Sequence, residues 1–248
     1  MQRLAPAVIV IFIATLAASC GSGSSTAQYR VVQTIPDAPA NFDVALNGKN
    51  VFTNVSFGSA EPAVTGYSSA SAGTDAIEAF ETGTTTPVID NTNLNLIAGT
   101  QSTVLLTGLY AAPSTVVLRD DNTTPISGHA ELRIVDASPS APASLDIYVV
   151  APGVDITQRQ PDFSALQFTQ TSAYQDLTTF SSGYTQIMII VTKSGDPTKT
   201  QLASQAYTPY EGQILTLVLV DVAGGGTLSF TPLELIDVDP LPPPTPQP

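Results

Sequence analysis

His129 and Cys20 are the only histidine and the only cysteine among 248 residues. General acid–base or nucleophilic catalysis needs a poised acid, base or nucleophile. A Ser-His-Asp arrangement would have to use His129, which sits at the end of a polar linker, and no nucleophile-elbow sequence is present. One histidine and one cysteine also fall short of the usual zinc ligand sets. Two acidic clusters remain, Asp120-Asp121 and Asp237-Val238-Asp239. Oxygen ligands of this kind hold calcium between tandem sandwich domains, but the spacing matches no calcium loop. The expectation is solvated turn carboxylates, with calcium near Asp120, Asp121 or Asp237, Asp239 left open. No metal, no cofactor and no catalytic residue is assigned, and the chain is read as a non-enzyme.

Cys20 has a more specific reading. Arg3 gives a short positive start, Leu4 to Leu16 is almost wholly apolar, and Ala17-Ala18-Ser19 precede the cysteine. This is a secretory signal, too short to span a bilayer. Leu16-Ala17-Ala18-Ser19-Cys20 resembles a bacterial lipobox, with leucine one place further from the cysteine than usual. Cys20 is therefore the expected lipid attachment site, and the membrane the expected partner through that lipid. Gly21, in place of Asp, favours the outer membrane of the cell envelope.

Eight Lys and Arg against 21 Asp and Glu leave a net charge of −13. The few cations are scattered, so phosphate neutralisation fails and nucleic-acid binding is excluded. Attraction to anionic headgroups is disfavoured for the same reason.

The elements that must position any site are set by a repeat. Arg30-Val31-Val32-Gln33-Thr34-Ile35-Pro36-Asp37-Ala38-Pro39 leads into Phe42-Asp43-Val44-Ala45-Leu46. Arg133-Ile134-Val135-Asp136-Ala137-Ser138-Pro139-Ser140-Ala141-Pro142 leads into Leu145-Asp146-Ile147-Tyr148-Val149. The offset between the copies is 103 at Arg, at the first Pro and at Asp alike, which predicts two homologous units in tandem. Each copy reads strand, proline corner, strand, because two prolines three apart stop any ladder. Turn signals recur roughly every 8–12 residues, the spacing of a sandwich. Asn47-Gly48 predicts a two-residue hairpin turn. A strand is also expected near Ala63–Tyr67, and Ile187–Val191 and Ile214–Val220 read as strands covered on both faces. No window supports a useful amphipathic helix. A hairpin pairing of the motif's two strands would set Val31 opposite Phe42, and Arg30 opposite Asp43; Arg133 would likewise face Asp146.

The motif, with Asn47-Gly48, Val55-Ser56-Phe57-Gly58 and Thr85-Thr86-Pro87-Val88-Ile89-Asp90, resembles the bacterial envelope family called domain of unknown function 4397. The resemblance covers most of residues 29–235 and is fainter late in the second unit. It implies lipoproteins with tandem immunoglobulin-like domains, and no activity. Where family members often carry histidine before the corner, this chain has Gln33 and Asp136.

The resulting expectation is an all-β chain of two tandem immunoglobulin-like antiparallel β-sandwiches after a lipoprotein signal peptide. Its parts are a signal peptide (1–19), a flexible tether (20–28), a first sandwich (29–122), a second sandwich (129–236) and a proline-rich tail (237–248). The polar linker between the units predicts that each folds alone. The expected role is a non-catalytic envelope lipoprotein, a structural or interaction module whose partner is an unidentified envelope protein or polysaccharide. Two rivals stand beside it. A carbohydrate-binding or adhesion module would present outward tyrosines such as Tyr148, Tyr207 and Tyr210. A hydrolase would set paired carboxylates across a cleft.

Overall fold

The computed structural model describes residues 25–63, 65–178, 186–224 and 231–238. Residues 1–24, with the signal and Cys20, and 239–248, with Asp239 and most of the proline-rich tail, lie outside them. The described residues contain strands, turns and irregular segments but no helix.

The first nine strands are β1 (Thr26–Gln33), β2 (Phe42–Leu46), β3 (Lys49–Val55), β4 (Ala60–Glu61), β5 (Ser68–Ser71), β6 (Gly73–Glu81), β7 (Pro87–Leu96), β8 (Gln101–Leu109) and β9 (Ala112–Asp120). They make two sheets. One has the order β4-β1-β8-β9, with β5 also pairing along β1; the other is β3-β2-β6-β7. The later strands are β10 (His129–Asp136), β11 (Leu145–Val150), β12 (Phe163–Leu166), β13 (Gln175–Thr178), β14 (Ile187–Lys193), β15 (Gln201–Tyr207), β16 (Ile214–Val220) and β17 (Thr231–Val238). Their sheets are β13-β10-β16-β17 and β12-β11-β14-β15.

Alternation along the strands fixes how the sheets stack. On β1 and β8, Tyr29, Val31, Val104 and Leu106 join Phe42, Val44 and Ile77 of the facing sheet in one core. On β10 and β16, Leu132, Ile134, Leu215 and Leu217 join Leu145, Ile147 and Ile189 in another. The opposite faces of these same inner strands meet each other. Val32, Leu105 and Leu118 pack with Val135, Val218, Val220 and Leu235 in a third cluster that joins the two halves of the chain. Each half is therefore β-sandwich-like, and its inner sheet is covered on both faces. All of β16 is buried, as its unbroken apolar run predicts.

Several expectations change. The sheets are not wholly antiparallel: β1 runs parallel to β8, and β10 to β16. The proline corner carries the chain from the inner to the outer sheet, so β1 and β2 never pair. The Arg30–Asp43 and Arg133–Asp146 ladder pairs are thereby overturned. The tether ends earlier than Gln28, because β1 begins at Thr26. The tail begins later than Asp237, because β17 runs to Val238. In place of a strand at 63–67, the short β4 and β5 flank that stretch. Asn47 and Gly48 do turn β2 into β3, with φ of 52° and 72°.

Candidate functional site

The polar groups singled out by type and spacing converge between the inner sheets, in an arrangement the sequence did not disclose. Arg30 shares a face of β1 with Val32, and Arg133 shares one of β10 with Val135, so both arginines enter the interface. Arg30 is 0% exposed and Arg133 2%. A buried guanidinium requires a counter-charge, and each finds it on the other half of the chain. Arg30 Nη2 donates to Asp237 Oδ1. Arg133 Nη2 donates to Asp120 Oδ1 at 2.6 Å. The crossed contacts are longer, 3.8 Å from Arg30 to Asp120 and 3.7 Å from Arg133 to Asp237.

Arg133 Nη1 also crosses, donating to the Arg119 carbonyl at 2.8 Å, and further bonds close within each half. Parallel register places Arg30 beside Thr103 and Arg133 beside Thr216. Arg30 Nε donates to Thr103 Oγ1 (2.7 Å), which donates to Asp120 Oδ2 (2.6 Å). Arg133 Nε donates to Thr216 Oγ1 (3.0 Å), which donates to Asp237 Oδ2 (2.6 Å). Tyr67 donates its hydroxyl to Asp120 at 2.8 Å, and Tyr174 donates to Asp237 at 2.9 Å. Each tyrosine ring also lies against the guanidinium of its own half, 4.9 Å from Arg30 and 4.5 Å from Arg133. The network thus has an approximate two-fold relation between the halves.

Its electrostatics follow from burial. Burial, with Asp120 adding to it, holds Asp237 above the usual carboxylate range against the pull of Arg30 and Arg133. Burial alone would lower Arg133, but Asp120, Tyr174 and Asp237 outweigh it and push it up. Burial, then the neighbouring carboxylates, raise both tyrosines far above their ordinary value. Two cations face two carboxylates, and all four carboxylate oxygens are occupied by protein donors. Among the described residues no group of three His, Cys, Asp or Glu side chains could hold a metal. The expectation that Asp120 and Asp237 are solvated turn carboxylates is overturned; Asp121 keeps that role, accepting the Thr123 amide at 3.0 Å, and Asp239 lies outside the described residues.

The motif's own acids do local work. Asp43 accepts the Asn54 amide at 2.8 Å and the Gly83 amide at 3.3 Å. Asp146 accepts the Ala165 amide at 2.9 Å and the Gly195 amide at 3.3 Å. Asn54 and Ala165 both have positive φ, 59° and 55°. Each motif Asp therefore holds an irregular neighbouring strand on one side and a turn glycine on the other.

His129 begins β10, and its Nδ1 lies 2.6 Å from Asp176 Oδ1. Among the described residues no hydroxyl is bonded to its Nε2. A cleft of about 420 Å³ between the sheets of the second half is lined by Val149, Arg159, Asp162, Gln175, Asp176 and Leu177. Its two carboxylates are already engaged: Asp162 takes the Val149 amide (2.8 Å) and Arg159 (2.9 Å), and Asp176 takes His129. Neither is positioned as a free acid or nucleophile. The tyrosines expected to face outward differ: Tyr148 is buried, whereas Tyr207 and Tyr210 are half-buried. Tyr148 is 1% exposed, with Lys199 Nζ 5.1 Å from its ring centroid, and Tyr207 donates to Gln213 at 2.7 Å.

Residues 27–148 match the sequence model of a family described as Domain of unknown function (DUF4397). The match supports that family for this stretch. It begins in β1, runs beyond the linker and ends in β11, so it contains Arg30, Asp120 and Arg133 but not Asp237. No curated protein matches the chain.

Thr103, Thr216, Tyr67 and Tyr174 were not among the residues the sequence marked. One signal was present: Arg30 and Val32 alternate onto one face, as do Arg133 and Val135. A face that buries the valine buries the arginine too, and that arginine needs a carboxylate.

Proposed function

We propose that the chain is a non-catalytic, lipid-anchored protein of the cell envelope whose two tandem immunoglobulin-like units act as one structural or interaction module. The observation that carries this reading is the closed network. Its perturbed groups, Arg133, Asp237, Tyr67 and Tyr174, face protein partners in a buried interface and leave no opening for a substrate there. The tandem reading is supported by matching strand orders and by the equivalence of Arg30 with Arg133, Thr103 with Thr216 and Asp120 with Asp237. The anchor rests on the apolar leader and the lone Cys20, with the outer membrane favoured by Gly21. The partner is an envelope protein or polysaccharide, and no cofactor is needed.

Labelling cells with a fatty-acid analogue tests the anchor. The wild type is expected to take the label and sediment with membranes, whereas Cys20→Ser takes none and becomes soluble. Equal labelling of both forms, or label in neither, would overturn it.

A further inference from the structure

The second half of the chain buries two carboxylates outside the interdomain network. Asp136, the last residue of β10, is 0% exposed, and Asp221, just after β16, is 1% exposed. Asp136 alternates onto the same face as Ile134, at the end of the second core. Its Oδ1 accepts the Ser138 amide at 3.0 Å, while its Oδ2 is buried without a partner. Asp221 accepts the hydroxyls of Ser138 and Ser140, the latter at 2.7 Å, and the Ser140 amide at 3.2 Å. The two acids thus hold one object between them, the corner that starts at Ser138 and runs through Pro139 and Pro142.

No cation neutralises them. Among the described residues neither acid takes part in an ion pair. The 167–171 segment, which bonds the Asp136 backbone through Thr169 and Gln170, carries no charged side chain. The first half contributes Thr107 and Pro36 here, both uncharged: Thr107 donates to the Ala137 carbonyl at 3.3 Å, and the Gly224 amide donates to the Pro36 carbonyl at 2.6 Å. At this end of the outer sheet Lys193 is exposed, Asp146 is occupied by the Ala165 and Gly195 amides, and Asp196 is occupied by Thr198 and Thr200. Residues 179–185 and 225–230 contain no Asp, Glu, Lys, Arg or His.

We propose that Asp136, buried at the corner that Asp221 also holds and faced by no cation, retains a proton that keeps the Ser138–Pro142 corner closed, and that loss of this proton opens the corner. Burial, with the Asp221 charge adding to it against the Ser138 amide, pushes Asp136 up to about 7. A carboxylate raised in the folded state stabilises it fully below its ordinary value, and that contribution is lost as pH rises through the folded value. The window therefore runs from the ordinary carboxylate range to about pH 7. On ionisation the proton passes to solvent and two like charges share a site without a counter-ion. The 221–224 segment and the corner after Asp136 then separate. Because Thr107 and Pro36 bond to these same two segments, the opening reaches the interface with the first half.

Hydrogen exchange on the full chain tests this between pH 5 and pH 8.5. For wild type, protection factors at the Ser138 and Ser140 amides should fall about tenfold per pH unit from pH 5 to about 7 and level off above it, one proton being released on opening. In Asp136→Asn they should stay flat across the range, and the urea midpoint should lose its decline between pH 5 and about 7. Should Asp136→Asn fail to fold, the wild-type profile decides alone: protection independent of pH, or a decline spread equally over β14 and β15, would overturn the proposal. Parallel slopes in wild type and variant would overturn it as well.

Discussion

Arg30 and Arg133 occupy matching positions on β1 and β10, beside Thr103 and Thr216, and each reaches the carboxylate of the opposite half. Three residues further along the same strands the halves diverge. Gln33 ends β1 with a neutral amide whose oxygen accepts the Ile35 amide at 2.7 Å. Asp136 ends β10 with a carboxyl whose oxygen accepts the Ser138 amide in the same way. The local bond is therefore kept while the charge is not. The same backbone turn tolerates either side chain, but of the two only Asp136 carries an ionisable group. The interface has the opposite character: both halves must contribute an arginine and an aspartate, because each neutralises the other's.

Breaking that reciprocity should have the largest effect. Asp120→Ala leaves Arg133 buried without its nearest carboxylate, and Asp237→Ala does the same to Arg30. Removing one partner of a buried pair costs about 3–5 kcal/mol, to be read from urea unfolding of the full chain. The two variants should agree within about 1 kcal/mol if the network is symmetric in energy as well as geometry. Coupling in a double-mutant cycle should link Arg30 to Asp237 and be absent between Arg30 and Asp43. The polar linker suggests halves that fold alone; separating them would expose Val32, Leu105, Leu118 and the two buried arginines, which pack between the halves in the full chain.

The repeat, the corner and most strands were legible in the sequence because they depend on local rules: alternation, proline geometry and Asn-Gly turns. Arg30, Asp120, Arg133 and Asp237 were legible as residues but not as pairs. Their partners lie 207 and 13 positions away in the chain, and strand pairing gives no sign of which outer face meets which. The ladder first expected between Arg30 and Asp43 failed for a related reason. Period two says which residues share a face, but not whether successive strands share a sheet. Tyr67 and Tyr174 were missed because they sit outside the repeated motif and act through ring faces and hydroxyls on an interface that only the assembled sheets create.

The divergent ends can be made alike. Gln33→Glu keeps the length of the side chain and the acceptor for the Ile35 amide, but places an ionisable group where wild type has none. Gln33 is 1% exposed, so ionisation there is opposed by desolvation. A carboxyl raised by about two units costs about 3 kcal/mol when fully ionised. The variant should match wild type near pH 4 and fall progressively below it toward pH 8, measured as the difference in urea midpoints. A pH-independent difference would mean that packing, not charge, separates the two ends. Asp43 supplies a control of opposite sign. The Asn54 amide, helped by Gly83 and Thr82, holds its carboxyl below the usual range, so its contribution is present at neutral pH and lost on acidification.

The smallest expected effect concerns a feature the first half lacks. On the outer face of the second outer sheet, Tyr148, Val150, Ile156 and Ile190 form a fourth buried cluster. The segment between β11 and β12 covers it, and Lys199 holds that segment down. Lys199 Nζ donates to the Ile156 carbonyl at 2.8 Å and to the Arg159 carbonyl, while lying over the Tyr148 ring. Its backbone has φ of 47°, a left-handed conformation on the turn before β15. That turn is fixed separately by Asp196, which accepts the Thr198 and Thr200 amides, so the side chain can be changed without removing the turn's own bonds. Lys199→Met keeps the aliphatic stem against Tyr148 and removes only the ammonium. The two carbonyls lose a charged donor but lie near solvent, so global stability should fall by no more than about 1–2 kcal/mol. The change should instead be local. Amide exchange should accelerate at Thr157 to Arg159, while β14 beneath stays protected. If exchange in that segment matches wild type, Ile156 and its neighbours hold the cover by packing alone, and the second half carries its extra layer without the lysine.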